Sequence, residues 1–176
     1  MSSLPVIKII RAKTVKEIDG VAQIVATALS TDFPYQSQTI KQYRNRVFNQ
    51  KYFRKSLTQK NHFTFLAAEQ GEIVGLISFS AEFGGVIFVE WLVVKKPYRK
   101  KGIGSQLLAK VESWAMAHHY HFLYLFTETQ SNLGYYQSRG FKHVGVMENS
   151  WFGENEHLMS KSLVNQPFAK IFAEND

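Results

Sequence analysis

Val86-Ile-Phe-Val-Glu-Trp-Leu-Val-Val94, followed at once by Lys95-Lys-Pro-Tyr-Arg-Lys-Lys-Gly-Ile-Gly-Ser105, is the stretch from which the rest of this 176-residue chain can be read. Its first nine residues are apolar except Glu90, the pattern of a strand covered on both faces. Pro97, Gly102 and Gly104 then break the run. From Ser105 to His119 the apolar residues Leu107, Leu108, Val111 and Ala115 recur at helical spacing. The passage therefore reads as buried strand, basic glycine turn, helix.

Working outward, Phe122–Phe126 is a second apolar strand and Asn132–Ser138 a short helix stopped by Gly140. Phe141–Met147 and His157–Leu163 read as strands. Upstream, His62–Ala68 and Ile73–Ala81 read as strands around the Glu69-Gln-Gly-Glu72 turn. Thr14–Leu29 reads as a helix with Thr14 as its cap, and Gln38–Leu57 as one helix or two short ones. The expected order is α-α-β-β-β-α-β-α-β-β, a mixed α/β domain. Neither a repeat nor a Pro/Gly/Ser linker divides residues 1–176, so a single domain is expected, with an uninformative tail over 164–176.

Composition narrows the function classes. Hydrophobic residues make up 45% and charged residues 20%, with 14 Phe, 8 Tyr and 3 Trp, which excludes a disordered chain. No apolar run is long enough to span a membrane, and the first thirteen residues lack a signal-peptide apolar block, so a soluble, cytoplasmic protein is expected. There is no cysteine, hence no disulfide, thiol nucleophile or thiolate metal site. His118, His119 and His121 lack further ligands at helical spacing and read as polar residues at a helix end; no metal is expected.

The net charge of +7 is uneven. Lys95, Lys96, Arg99, Lys100 and Lys101 form one basic segment; Lys41, Arg44, Arg46, Lys51, Arg54, Lys55 and Lys60 form another. In the first, glycines let backbone N–H groups approach a ligand, and the helix start adds partial positive charge. That is an anion cradle, and a diphosphate is its natural occupant. The spacing matches neither Walker A nor the dinucleotide GxGxxG.

Leu92-Val93-Val94 with Tyr98-Arg99-Lys100-Lys101-Gly102-Ile103-Gly104 resembles the acyl-CoA-binding motif of the GNAT N-acetyltransferases, Gln/Arg-x-x-Gly-x-Gly/Ala. Asn132 with Tyr135-Tyr136-Gln-Ser-Arg-Gly140-Phe141 is similar to that family's Asn…Phe-Tyr-x-x-x-Gly-Phe signature, with a shorter segment between Asn132 and Tyr135 than the commonest spacing. The resemblance spans about His62 to Leu163. It implies a GNAT-like fold, a central twisted mixed sheet of about six to seven strands flanked by about four helices. It also implies acetyl-CoA as co-substrate and a primary amine as acceptor. Acetyl-CoA would lie between two splayed strands. Its pantetheine arm would pair with Leu92, Val93 and Val94, and its diphosphate with the N–H groups of Lys100, Lys101, Gly102, Ile103, Gly104 and Ser105, Arg99 standing nearby. Asn132 would complete the cofactor-binding set.

In the implied reaction the amine attacks the thioester directly, and a tyrosine matching Tyr136 protonates the departing thiolate. Glu90 is the lone ionisable group in its strand and shares a face with Phe88, Leu92 and Val94. It lies where several family members place a base, and desolvation would raise its pKa toward that task. A structural, ion-paired Glu90 is the other reading, and base duty then passes to Glu82 or water. The basic segment 41–60 fits an acidic acceptor, an acidic partner or a solvated helix face. Phe33, Tyr35, Trp151 and Phe152 are candidates to line the acceptor pocket. Two rivals to an enzyme remain open: a CoA-binding sensor without turnover, and a basic nucleic-acid-binding domain, against which the core spacing of the aromatics argues. The acceptor, small molecule or protein, and the state, monomer or homodimer, stay open.

Overall fold

A computed structural model describes residues 7–163, the side chain of Lys55 excepted. The tail expected over 164–176 lies outside the described residues, as do residues 1–6. The elements are β1 (Ile7–Arg11), α1 (Val15–Thr31), α2 (Gln38–Val47), α3 (Gln50–Thr58), β2 (His62–Glu69), β3 (Glu72–Glu82), β4 (Val86–Val94), α4 (Ile103–Ala117), β5 (Phe122–Thr127), α5 (Gln130–Gln137), β6 (Lys142–Met147) and β7 (Glu156–Ser162). The seven described strands form a mixed sheet of order β1-β2-β3-β4-β5-β7-β6. The β4–β5 pair is parallel, whereas β1–β2, β5–β7 and β6–β7 are antiparallel. The mixed α/β architecture expected from the sequence is the one observed.

One element differs from expectation, and one open choice is decided. β1 is an addition to the expected order: Ile-Lys-Ile-Ile-Arg is short and only partly alternating, and its identity as a strand comes from pairing with β2, Ile9 opposite Ala67. The helical stretch 38–57 is two helices. Asn49 separates them by donating its side-chain amide to the Arg46 carbonyl at 2.7 Å and accepting from the Tyr52 N–H at 3.2 Å.

The chain divides into two compact units, Met1–Phe79 with Trp91–Lys110, and Ser80–Glu90 with Val111–Asp176. In the first, Thr14 caps α1 through a capping box: its hydroxyl accepts from the Glu17 N–H at 3.3 Å, and Glu17 accepts from the Thr14 N–H at 2.8 Å. The apolar stripe of α1, Ile18, Val21, Ala22, Val25 and Leu29, is buried in one cluster with Phe53, Leu66 and Leu76. Burial of each of these valine, isoleucine, leucine and phenylalanine side chains is worth roughly 1.5–3 kcal/mol. The hairpin between β2 and β3 turns on Gln70 (φ 50°) and Gly71 (φ 86°), the paired left-handed conformations of a tight β-hairpin.

In the second unit, β4 pairs with β5 from Val86–Phe122 to Val89–Leu125 and then runs on for five residues. Ile87, Val89, Leu123 and Leu125 are buried, whereas Val86, Phe88, Glu90, Tyr124 and Phe126 are half-buried. The VIFVEWLVV run is thus not covered on both faces here. The open face is lined by rings that shield one another, Phe88 stacked on Tyr124 with centroids 4.9 Å apart.

Two contacts in the first unit position the turn after β4. Gly75 of β3 packs tightly under the end of β4: a Cβ there would stand 3.0 Å from the Val93 carbonyl oxygen and 3.3 Å from the Val94 side chain, and would touch Ile103, the first residue of α4, at 3.5 Å. Arg99 donates Nε to the Val94 carbonyl at 2.8 Å and its two terminal nitrogens to Asp32, the C-cap of α1. Burial works to raise the Asp32 carboxyl. The hydrogen bonds from Arg99 and Thr31, with the charges of Arg99 and Lys96, outweigh it and hold the group below its ordinary value.

Gly75→Ala is expected to lower stability by about 1–3 kcal/mol in denaturant titration. An unchanged midpoint would show that β4 has room to move. Asp32→Asn tests the tie to α1. Because the folded pKa is depressed, the ion pair contributes fully above the ordinary value of 3.8 and is lost as pH falls through the lower folded value. The Tm gap between wild type and Asp32→Asn should therefore be constant from about pH 7 to pH 5 and close below 3.8. A gap that persists in strong acid would contradict the assignment.

Candidate active site

The turn after β4 is built by sorting its charges. Lys95 donates to Glu72 at 2.8 Å, and Tyr98 donates to the other Glu72 oxygen at 3.0 Å. Lys96 lies 3.6 Å from Asp32 beside Arg99. Three of the five cations are therefore engaged within the unit, and they hold a 3-10 turn, Lys96–Tyr98, against it. Among the described residues, Lys100 and Lys101 carry no carboxylate partner. Both are exposed, with the Lys101 ammonium 5.2 Å from the Tyr98 ring centroid. Arg99 braces the turn through the Val94 carbonyl and Asp32.

The backbone here suits an anion. Lys100 (φ 61°) and Gly102 (φ 77°) adopt the left-handed conformation, and α4 begins at Ile103 with the Gly102 carbonyl accepting from Gln106. A helix start leaves its first N–H groups without intrahelical acceptors; here they belong to Ile103, Gly104 and Ser105. Ile103 is buried and anchors the helix, while Gly102 and Lys101 are exposed. Leu92, Val93 and Val94 are each half-buried along the end of β4. Val94, Lys96 and Arg99 also border a cavity of about 1150 Å³ walled by α1 residues such as Gly20, Ile24 and Ala28.

The second unit holds the other candidates. Tyr136 is buried on α5, edge-on to Tyr135 at 5.1 Å and to Phe141 at 5.6 Å. Burial pushes its hydroxyl far above the ordinary tyrosine value; the charge of Arg139 works weakly the other way. Tyr136 therefore keeps its proton throughout the working range of pH. Gly140 (φ 83°) ends the helical segment, and the Phe141 N–H returns to the Tyr136 carbonyl at 3.2 Å, so the Tyr…Gly-Phe spacing is also a helix stop. Asn132 donates its side-chain amide to the Thr127 hydroxyl at 2.9 Å, tying α5 to the end of β5.

Glu90 is half-buried on the open face of β4. Glu82 accepts a short hydrogen bond from the buried Ser80 hydroxyl. Sequence reasoning missed Tyr124, whose hydroxyl is raised first by burial and then by the charges of Glu82 and Glu90. Its alternation with Phe122 and Phe126 in an apolar run was the available signal. Asp32 was missed too, and nothing local in the sequence points to a partner 67 residues away. Trp151 is half-exposed and edge-on to Phe126 at 5.0 Å, whereas Phe33 lies under the buried Arg44 in the first unit. The basic segment is therefore more than a solvated face, since Arg54 also chelates Asp19 through Nε and a terminal nitrogen. His118 stacks on Trp114 at 4.2 Å, and among the described residues no group of three or more His, Cys, Asp or Glu could hold a metal ion. None of the described helices is long and apolar enough to cross a membrane.

Comparison with known proteins gives these features a family. The chain is similar to streptothricin acetyltransferase A of Bacillus subtilis (strain 168), 30% identical over 100 residues, 57% of this chain and 54% of that protein. It is 35% identical over 88 residues to N-acetylaspartate synthetase of Xenopus tropicalis, 48% of this chain and 32% of that protein. The matched segments thus span about a third to about half of these curated relatives. Among solved structures, PaiA N-acetyltransferase from Thermoplasma acidophilum in complex with coenzyme A has the same fold, with a TM-score of 0.76 at 16% identity over 89% of this chain and 99% of that one. The model of the Acetyltransferase (GNAT) family matches residues 23–141, which include the turn after β4 and the α5 motif, and on that match over more than half its length the chain belongs to the GNAT family of acetyltransferases.

Proposed function

We propose that this chain transfers an acetyl group from acetyl-CoA to a primary amine by direct attack. The observation that carries the reading is the turn after β4. Its internal ion pairs fix a backbone whose helix-start N–H groups, with Lys100 and Lys101, suit a diphosphate. The fold shared with a coenzyme A complex supports the same ligand. Leu92, Val93 and Val94 are assigned to the pantetheine arm, and Gly104 and Ser105 to the diphosphate; Asn132 acts by positioning α5.

The reaction balances with the side chains present. The neutral amine nitrogen attacks the thioester carbonyl carbon, a C–N bond forms, and the C–S bond breaks. The departing CoA sulfur takes the proton that Tyr136 holds, and the proton lost by the amine goes to Glu90. Tyr136 is protonated at neutral pH, the state in which an acid must stand when the thiolate forms, and the burial that disfavours its phenolate adds nothing to its acidity. With no cysteine in the chain, a thiol acyl-enzyme has no residue to form on. The single-domain reading of 1–176 belongs to this proposal, because binding and proton transfer serve one reaction.

Free thiol release from acetyl-CoA across a panel of amines tests the proposal, and the cysteine-free protein adds no background. Acetyl-CoA should raise Tm, and Gly104→Glu should abolish that shift while the variant stays folded. Tyr136→Phe should lower kcat by ~10–1000-fold with acetyl-CoA affinity nearly kept. Binding without thiol release from any amine would instead favour a CoA-binding sensor. Turnover within about twofold of wild type in Tyr136→Phe would remove the acid assignment.

A further inference from the structure

The two units carry opposite charge. The first holds 17 Lys and Arg against 5 Asp and Glu; the second holds 4 against 9. An anionic co-substrate has its natural place in the first unit. The second unit is suited to the opposite charge.

That charge meets an aromatic surface on the open face of the second unit. Phe88 and Tyr124 are register partners with stacked rings, 17° from parallel. Strand alternation puts Glu90 on the face of Phe88, and Phe126 on the face of Tyr124. Phe126 lies 6.0 Å from Phe88 and 6.1 Å from Tyr124, and Trp151 extends the surface from Phe126 into solvent. Glu82 is held from β3 by the Ser80 hydroxyl. Ser80 and Glu82 share one face of β3, the neighbour of β4 in the sheet, and after burial the charges of Glu82 and Glu90 both act to raise the Tyr124 hydroxyl. Ring faces and carboxylates together favour an ammonium group and disfavour an acidic acceptor.

A nucleophilic amine must be neutral when it attacks, so it is not the group that a charge-recognising site retains. We propose that the acceptor is a diammonium compound whose second nitrogen, still protonated, is held by Glu82 against the Phe88–Tyr124 rings, while its reacting nitrogen delivers its proton to Glu90. This rests on the acetyl-transfer reading and names its substrate class. The basic segment offers less to an acidic acceptor than its seven cations suggest, because Arg44 is buried over the Phe33 ring and Arg54 is chelated by Asp19.

The test compares α,ω-diaminoalkanes with monoamines of the same chain length and with ω-amino carboxylates, using acetyl-CoA and thiol release. The best diamine should exceed its matched monoamine by about tenfold or more in kcat/KM, and the amino carboxylate should be the poorest. Glu82→Gln should bring the diamine-to-monoamine ratio toward one, chiefly through the diamine KM. Were Glu82 a general base, kcat would fall for both amines and the ratio would survive, which overturns the proposal; equal rates in wild type overturn it as well. If acetyl-CoA raises Tm yet no amine releases thiol, the transfer reading fails on its own. The site is then judged by diamine binding, followed by tryptophan fluorescence with Trp151→Phe as the control. Binding of the diamine but not the monoamine, weakened in Glu82→Gln, supports it; no difference between the two amines overturns it.

Discussion

The two-pronged hold of Arg99 on Asp32, with its third bond to the Val94 carbonyl, is the constraint on which the turn after β4 depends. One guanidinium joins the end of α1, the end of β4 and the turn before α4. Asp32 is about a fifth exposed, so the pair is screened less than a surface contact, and the fork geometry of arginine fits both carboxylate oxygens. Lysine at position 99 would supply the charge without that fork. Lys95 and Tyr98 on Glu72 brace the other side of the same turn.

Fixing the turn this way engages three of its cations inside the protein. A run of five cations in seven residues looks like five phosphate ligands, yet three hold protein carboxylates. In the proposed reading, recognition falls to Lys100, Lys101 and main-chain N–H groups, whose direction follows the left-handed Lys100 and Gly102. A preformed turn of this kind loses little entropy on binding. The second unit follows the reverse logic: carboxylates and rings on one face, and a buried tyrosine whose environment keeps it protonated.

Much of this could be read from residues alone, and the failures have physical causes. β4 was recognisable to the residue because its apolar run is bounded by Gly85 and by Lys95-Lys96-Pro97. The helix caps followed from Thr14 and Gly140, whose chemistry is local. β1 was not recognisable, since a five-residue edge strand has too little pattern to outweigh its lysine and arginine. The brace between Arg99 and Asp32, the close approach at Gly75 and the carboxylates around Tyr124 are all long-range. Such contacts leave no periodicity in a single sequence. The half-open face of β4 was misread for a related reason: an aromatic row scores as core whether its cover is another layer or its own neighbours.

Direct passage of the acetyl group between two bound substrates is the central claim. Initial velocities measured while acetyl-CoA and the acceptor amine are varied together test it most directly. Converging double-reciprocal lines are predicted, because both substrates must be present before either product leaves. Parallel lines, the signature of an acetylated enzyme intermediate, would contradict the account.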